Sequence, residues 1–292
     1  MTADGTGSAR SVVITGASTG IGEACALHLD GLGWRVFAGV RKDADGEALQ
    51  RKASARLMPL RIDVTDGASI ASARDAVARE LGERGLDGLV NNAGIAVAAP
   101  LEFVPIDELR RQLDVNVIGQ IAVTQAFLPL IRKARGRIVN IGSVSGKLAT
   151  PFMGPYSASK FAMEALTDAL RIELRPWKIE VAIVEPGSIA TPIWEKAQVM
   201  ADEIEAQLPP EGHTLYDGAI KALRVFADEA AKRGIPPAEV AKAVAHALTA
   251  KKPKTRYIVG SDARQQALLA KFAPDRLRDA LIARQLKLPK KA

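Results

Sequence analysis

The chain has 292 residues, 48% of them hydrophobic and 25% charged, a balance that suits one large α/β domain or two small ones. A single cysteine, Cys25, excludes a disulfide framework and a cysteine-based zinc site, and the three scattered histidines offer no metal-ligand spacing, so no metal is expected. The net charge of +7 is uneven: residues 251–292 hold twelve Lys/Arg against three Asp/Glu, which leaves residues 1–250 at −2 and argues against general nucleic-acid binding.

Residues 1–10 are polar, lack a secretory pattern and are expected to be disordered. No uninterrupted apolar run approaches the roughly 18 residues of a membrane span, and the chain is expected to be cytoplasmic. Cys25, in an Ala/Leu-rich helical stretch, is expected to be a buried structural thiol.

The first strand is expected at Ser11-Val12-Val13-Ile14-Thr15. It runs into Gly16-Ala17-Ser18-Thr19-Gly20-Ile21-Gly22 and then a helical pattern through Leu32. A strand, a glycine-rich turn and a helix form an arrangement that cradles phosphate: the glycines permit a tight turn and close backbone approach, and the helix N-terminus presents free N–H groups. The spacing, Gly-x-x-x-Gly-x-Gly, departs from the commoner Gly-x-Gly-x-x-Gly.

A second strand, Arg35–Val40, would end beside the adenosine ribose of a dinucleotide. An acidic residue there would bind the 2′-hydroxyl of NAD, but the chain has Val40 followed by Arg41 and Lys42. An uncharged side chain leaves room for a 2′-phosphate that Arg41 could pair with, so NADP(H) is favoured over NAD(H); the alternative is a pair of solvated charges at a strand end. A third strand, Leu57–Ile62, ends in Asp63-Val64, a helix is expected over residues 67–82, and a fourth strand, Leu86–Val90, ends in Asn91-Asn92-Ala93-Gly94. Alternating strands and helices of this size predict a parallel sheet with ligand chemistry at the strands' carboxyl ends.

One long helix is expected from about Asp107 to Arg135, with Asn116 near its middle, where an Asn is mildly unfavourable and a polar task is one explanation. A fifth strand, Arg137–Ile141, precedes Ser143, and a helix from Tyr156 to about Arg175 follows. On that helix Tyr156 and Lys160 stand four residues apart and share a face. A phenol with a pKa of about 10 is a poor acid or base at neutral pH, and an adjacent ammonium is expected to lower it. A sixth strand, Glu180–Val184, leads into Pro186-Gly187-Ser188-Ile189-Ala190-Thr191.

Across residues 11–192 the chain resembles the short-chain dehydrogenase/reductase family. The likeness is carried by Thr15–Gly22, Asp63-Val64, Asn91–Gly94, Asn116, Ser143, Tyr156-x-x-x-Lys160 and Pro186-Gly187, in order and at family-like intervals. The implied fold is α/β: a doubly wound, Rossmann-type parallel sheet of about seven strands, with helices on both faces and a helical C-terminal extension. The expected division is one catalytic domain over residues 11–260, with a substrate lid at about 190–234, and a basic helical extension over 261–292.

The resemblance implies hydride transfer between a nicotinamide and a carbonyl or carbinol carbon. Tyr156 is the general acid/base, Lys160 lowers its pKa and bonds the nicotinamide ribose, Ser143 donates to the reacting oxygen, and Asn116 holds a water that links Lys160 to solvent. The dinucleotide is implied to lie on Gly16, Ser18, Thr19, Gly20, Ile21 and Gly22. Further contacts are implied at Arg41, at Asp63 and Val64 by the adenine, and at Asn91, Ala93 and Gly94 on the adenosine side. Tyr156 and Lys160, with Pro186, Gly187, Ile189 and Thr191, complete the set at the nicotinamide end. The family also implies a homodimer or homotetramer.

Residues 95–106, 144–155 and 188 to about 226 are expected to border the substrate. They are largely apolar, with Leu148, Phe152, Ile193, Trp194, Val199 and Met200 among them and only Lys147 charged in the second segment, which suits a lipophilic alcohol or carbonyl. The tail and the Ala38–Lys42 run are similar to the retinol and 17β-hydroxysteroid dehydrogenase branch. Three readings of the basic tail stand open: a solvated helical face, packing on a subunit or the lid, or contact with an anionic membrane. An NAD-dependent dehydrogenase of the same fold, and a non-catalytic dinucleotide-sensing or scaffold protein, are the alternatives to the NADP(H) enzyme.

Overall fold

Seven short runs rich in Val, Ile and Leu pair side by side into one sheet in the computed structural model, which describes residues 9–286 and residue 288. The strands are β1 (Ser11–Ile14), β2 (Arg35–Val40), β3 (Leu57–Arg61), β4 (Gly88–Asn91), β5 (Arg137–Ile141), β6 (Glu180–Pro186) and β7 (Arg256–Val259). Every pairing is parallel and the order is β3-β2-β1-β4-β5-β6-β7. The expected disorder of residues 1–10 falls largely on residues 1–8, outside the described residues, as do residue 287 and residues 289–292 of the basic tail.

Strand alternation divides the core into two layers. Val12, Ile14, Val36, Val139 and Val184 face α1 (Gly20–Gly31) and α9 (Pro237–Thr249), joined there by Leu49 of α2 (Asp43–Gln50). Val13, Phe37, Leu89 and Ile138 face α3 (Gly67–Leu81) and α5 (Gly119–Ala134) on the other side. Both faces of the sheet are therefore covered, as near-continuous apolar strands require. Cys25 is fully buried in the first layer, and burial pushes its thiol up to about 12, so it is an inert core residue.

The expected single helix over Asp107–Arg135 is α4 (Ile106–Leu113), a π-helical turn at Asp114–Ile118, and α5. Gly119 N–H closes the wide turn on the Asp114 carbonyl, and Asn116 sits inside it. The unbroken stretch Ile106–Ala134 is long and apolar enough by length and composition to cross a membrane, yet Val123, Phe127 and Ile131 pack it into the core. The segment expected to form a lid folds into two helices, α7 (Ile193–Glu205) and α8 (Pro210–Arg233), tied together by Arg224, which pairs with Asp202 and Glu205. Beyond β7 lie α10 (Ser261–Phe272) and α11 (Asp275–Gln285). The Tyr156 helix, α6, spans Gly154–Glu173.

Candidate active site

Strand order reverses between β1 and β4, and the crevice that this opens at the strands' carboxyl ends is the place for a ligand in such a sheet. A cavity of about 940 Å³ lies there. One end is bounded by Gly16, Ser18, Thr19, Gly20 and Ile21, the turn from β1 into α1. Gly16 and Gly20 have φ of +64° and +63°, and a Cβ on Gly16 would stand 2.8 Å from the Ala93 Cα. Thr19 makes no side-chain cap, so the first amides of α1 are free to meet an anion. A cradle that only glycine can form, with unsatisfied N–H groups at its lip, fits a pyrophosphate.

Gly22 does not border this cavity. A Cβ there would lie 2.2 Å from the Gly16 carbonyl oxygen, so its bare backbone lets α1 pack closely on the turn. The Asn91 side chain also lies away from the cavity. Its Nδ2 donates to Thr124 Oγ1 (2.8 Å) and Asn140 Oδ1 (2.9 Å) inside the core, and it is Asn92, one residue on and on the opposite face of the strand end, that reaches the cavity. Asn92 Nδ2 donates to the Thr15 and Gly16 carbonyls at 2.9 and 3.0 Å, and Thr15 Oγ1 accepts from the Asn92 and Ala93 amides at 3.0 Å. Thr15 and Asn92 thus stitch the glycine turn to the Ala93-Gly94 wall. Neither was singled out as a site residue, because that link joins segments 77 residues apart.

Arg41, Lys42, Asp63 and Val64 line the cavity where β2 and β3 end. The Thr65 amide and hydroxyl hold the Asp63 carboxyl below its usual range, with Arg41 adding to the effect, against the cost of partial burial. Pro186, Gly187, Ile189 and Thr191 line the opposite end beyond β6.

Between these ends stand Ser143, Tyr156 and Lys160. Ser143 lies just past β5 and caps a short 3-10 turn, its Oγ accepting from the Ser145 amide at 3.1 Å. Tyr156 and Lys160 project from the first turns of α6. Lys160 is only 4% exposed, its Nζ donates to the Ile141 carbonyl at 2.8 Å, and dehydration lowers its pKa to about 8. The ammonium stands 5.6 Å from the Tyr156 ring centroid, over the ring. The expected lowering of the phenol is not found. Burial pushes Tyr156 above its usual value, and a hydrogen bond with Ser143 opposes that shift without cancelling it. The i, i+4 geometry holds, but the ammonium is hydrogen-bonded to a carbonyl of β5.

The Asn116 side chain is occupied by protein groups. Its Oδ1 accepts from Ile95 N–H at 2.9 Å, and its Nδ2 donates to Ile95 O at 3.0 Å and Ser159 Oγ at 3.1 Å. The side chain is spent on the Ile95 loop and on α6, and buried Gln112 adds bonds to Val97 N–H and Ile95 O. Asn116 therefore sets the spacing between the loop after β4 and the Tyr156 helix.

The remaining cavity wall is largely apolar: Ala99, Leu148, Phe152, Ile193, Trp194 and Leu223 take part, and Leu269 and Ile282 bring in the C-terminal helices. The described part of the extension thus helps to wall this cavity. Val199 is instead 58% exposed, and Met200 packs on Val97 and Val104 away from the cavity. Lys147 turns from the cavity to pair with Glu164 (3.3 Å) and Glu185 (3.2 Å), where burial and the neighbouring Glu164 push Glu185 up to about 7. Tyr216 of α8 donates to Glu102 Oε2 at 2.7 Å and meets Phe103 and Phe152 edge-on, which ties α8 to the loops after β4 and β5.

Residues 10–202 match the short chain dehydrogenase family. The NADPH-dependent 3-dehydrocapnine reductase of Ornithobacterium rhinotracheale is 37% identical over 95% of this chain and 98% of its own. Human retinol dehydrogenase 5 is 40% identical over 96% of this chain and 90% of its own, and the 17-beta-hydroxysteroid dehydrogenase type 6 of Bos taurus 38% over 97% and 90%. The chain belongs to the short-chain dehydrogenase/reductase family, on its retinol and hydroxysteroid dehydrogenase side, and is an NAD(P)-dependent oxidoreductase.

Proposed function

We propose that the chain transfers a hydride between NADP(H) and a lipophilic alcohol or carbonyl compound, with Tyr156 as the general acid/base. The observation that carries this reading is the position of Tyr156 and Ser143, side by side where the glycine-bounded end of the cavity meets its apolar chamber. The bound dinucleotide supplies the hydride chemistry; the chain binds, orients and handles the proton. In reduction the Tyr156 hydroxyl gives its proton to the oxygen of the substrate, and the Ser143 hydroxyl donates to that same oxygen as negative charge forms on it. Burial keeps the phenol protonated before the reaction and by itself makes it a weaker acid. Lys160, fixed by the Ile141 carbonyl, places a positive charge beneath the ring and favours the phenolate left after the proton has gone.

Three features support NADP(H): the uncharged Val40 at the end of β2, the cavity-lining Arg41 beside it, and the name of the NADPH-dependent relative. Arg41 and Lys42 would take a 2′-phosphate, which would share Arg41 with the nearby Asp63 carboxylate. The apolar chamber supports a lipophilic substrate, and relatives named for retinol and hydroxysteroids point the same way.

The test is a panel of retinoids, steroids, long-chain alcohols and small ketones, assayed with NADPH/NADP and NADH/NAD by reduced-cofactor absorbance. Lipophilic substrates are expected to lead, and kcat/KM is expected to favour NADPH by tenfold or more, falling to near parity in Arg41→Ala. An NADPH preference that survives Arg41→Ala overturns the cofactor argument, and activity confined to small polar substrates overturns the substrate class.

A further inference from the structure

We infer that Asp262, on the C-terminal extension, is a positioning residue for the nicotinamide end of the dinucleotide site. The inference rests on the reading above, in which Pro186–Thr191 borders that end. β6 delivers Pro186 and Gly187 to the cavity wall, and the segment that follows has to keep one backbone path to remain part of that wall. Two tethers hold it. From the loop between α8 and α9, Ile235 N–H donates to the Ser188 carbonyl (3.0 Å) and Ala190 N–H donates to the Ile235 carbonyl (3.1 Å), with Ile189 and Ile235 in a parallel bridge. From the extension, Asp262 Oδ2 accepts from Ser188 N–H at 2.7 Å.

The second tether occupies a slot built for it. A Cβ on Gly187 would stand 2.4 Å from each oxygen of the Asp262 carboxylate, and one on Gly260, whose φ is +110°, 2.4 Å from Oδ1. Both residues must lack a side chain for the carboxylate to reach the Ser188 amide. Gly187 N–H is itself tied to the Val259 carbonyl at 2.9 Å, so β7 and the first turn of α10 grip two consecutive amides. A carboxylate in the first turn of a helix is favoured by the free amides there, and its bond to a backbone N–H is charge-assisted. Asp262 does not line the cavity, so it acts through Gly187 and Ser188 and touches no ligand.

A clamp of this kind should matter to the nicotinamide half of the dinucleotide and leave the adenosine half alone. The experiment compares dissociation constants for NADPH, by nicotinamide fluorescence, and for 2′,5′-ADP, which lacks the nicotinamide, by calorimetry; NADH and ADP serve as a second pair. Asp262→Ala is expected to weaken NADPH roughly tenfold and to leave 2′,5′-ADP within twofold. Asp262→Asn, which keeps an acceptor oxygen, is expected to restore most of the loss. Gly187→Ala is expected to weaken NADPH strongly in the wild-type background and much less in Asp262→Ala, where the added methyl no longer meets a carboxylate. Equal weakening of both ligands by Asp262→Ala, or no weakening of NADPH, overturns the clamp while leaving the enzyme reading intact. A wild-type chain that binds neither NADPH nor NADH overturns the underlying reading and the clamp with it.

Discussion

Lys160 carries its charge where water barely reaches it. The ammonium is spent on the Ile141 carbonyl, and dehydration brings its pKa from 10.5 to about 8. Below pH 8 the folded and unfolded chains both hold this proton, and the burial penalty is fully present. Between about pH 8 and 10.5 the unfolded chain binds the proton and the folded chain does not, so stability rises with pH across that window. Denaturant unfolding of wild type and Lys160→Met should therefore show a difference that moves in favour of wild type by on the order of 3 kcal/mol from pH 8 to 10.5. A difference that stays flat over the window contradicts a dehydrated lysine. The i, i+4 spacing made the Tyr156–Lys160 neighbourhood legible in the sequence. What spacing could not tell is which partner the ammonium chooses, because the Ile141 carbonyl lies 19 residues upstream on another element.

The π turn at Asp114–Ile118 is the element that the sequence hid most completely. Its apolar periodicity continues from α4 into α5, so nothing local announces the inserted residue; the only hint was an unfavourable Asn in a helix. Once folded, the turn aims Asn116 at both polar groups of Ile95 and at Ser159, the residue before Lys160. Asn116→Ala strands the Ile95 amide and removes one of the two bonds to the Ile95 carbonyl and one of those to the Ser159 hydroxyl, which keep Gln112 and the Tyr156 carbonyl as partners. Urea unfolding is expected to show a loss of about 1–3 kcal/mol, with a fall in kcat because the Tyr156 helix and the Ile95 loop lose their spacing. An alanine variant as stable as wild type would show that these bonds hold nothing in register. The short helix α2 was also missed, as eight residues with Gly46 among them give little periodic signal.

At the scale of the whole molecule, the seven strands and the order of the motifs were legible because apolar runs, glycine turns and caps are local signals repeated along the chain. The parallel sheet then placed every motif at one edge, where β1 and β4 part. Less legible was anything that depends on which side of a strand a residue faces, as with Asn91 and Asn92, or on contacts across the chain. The extension is the plainest case: as sequence it is a basic tail, whereas in the fold it supplies Leu269 and Ile282 to the chamber wall and Asp262 to the loop beyond β6. The sheet ends, α7, α8 and the extension all line the cavity that holds Tyr156, so one substitution tests the account most directly. Tyr156→Phe keeps the ring and removes the proton. With the best carbonyl substrate of the panel and saturating NADPH, kcat is expected to fall by roughly 10²–10⁴-fold while the NADPH dissociation constant stays within about threefold of wild type. A phenylalanine variant that turns over at a near-normal rate would contradict the account.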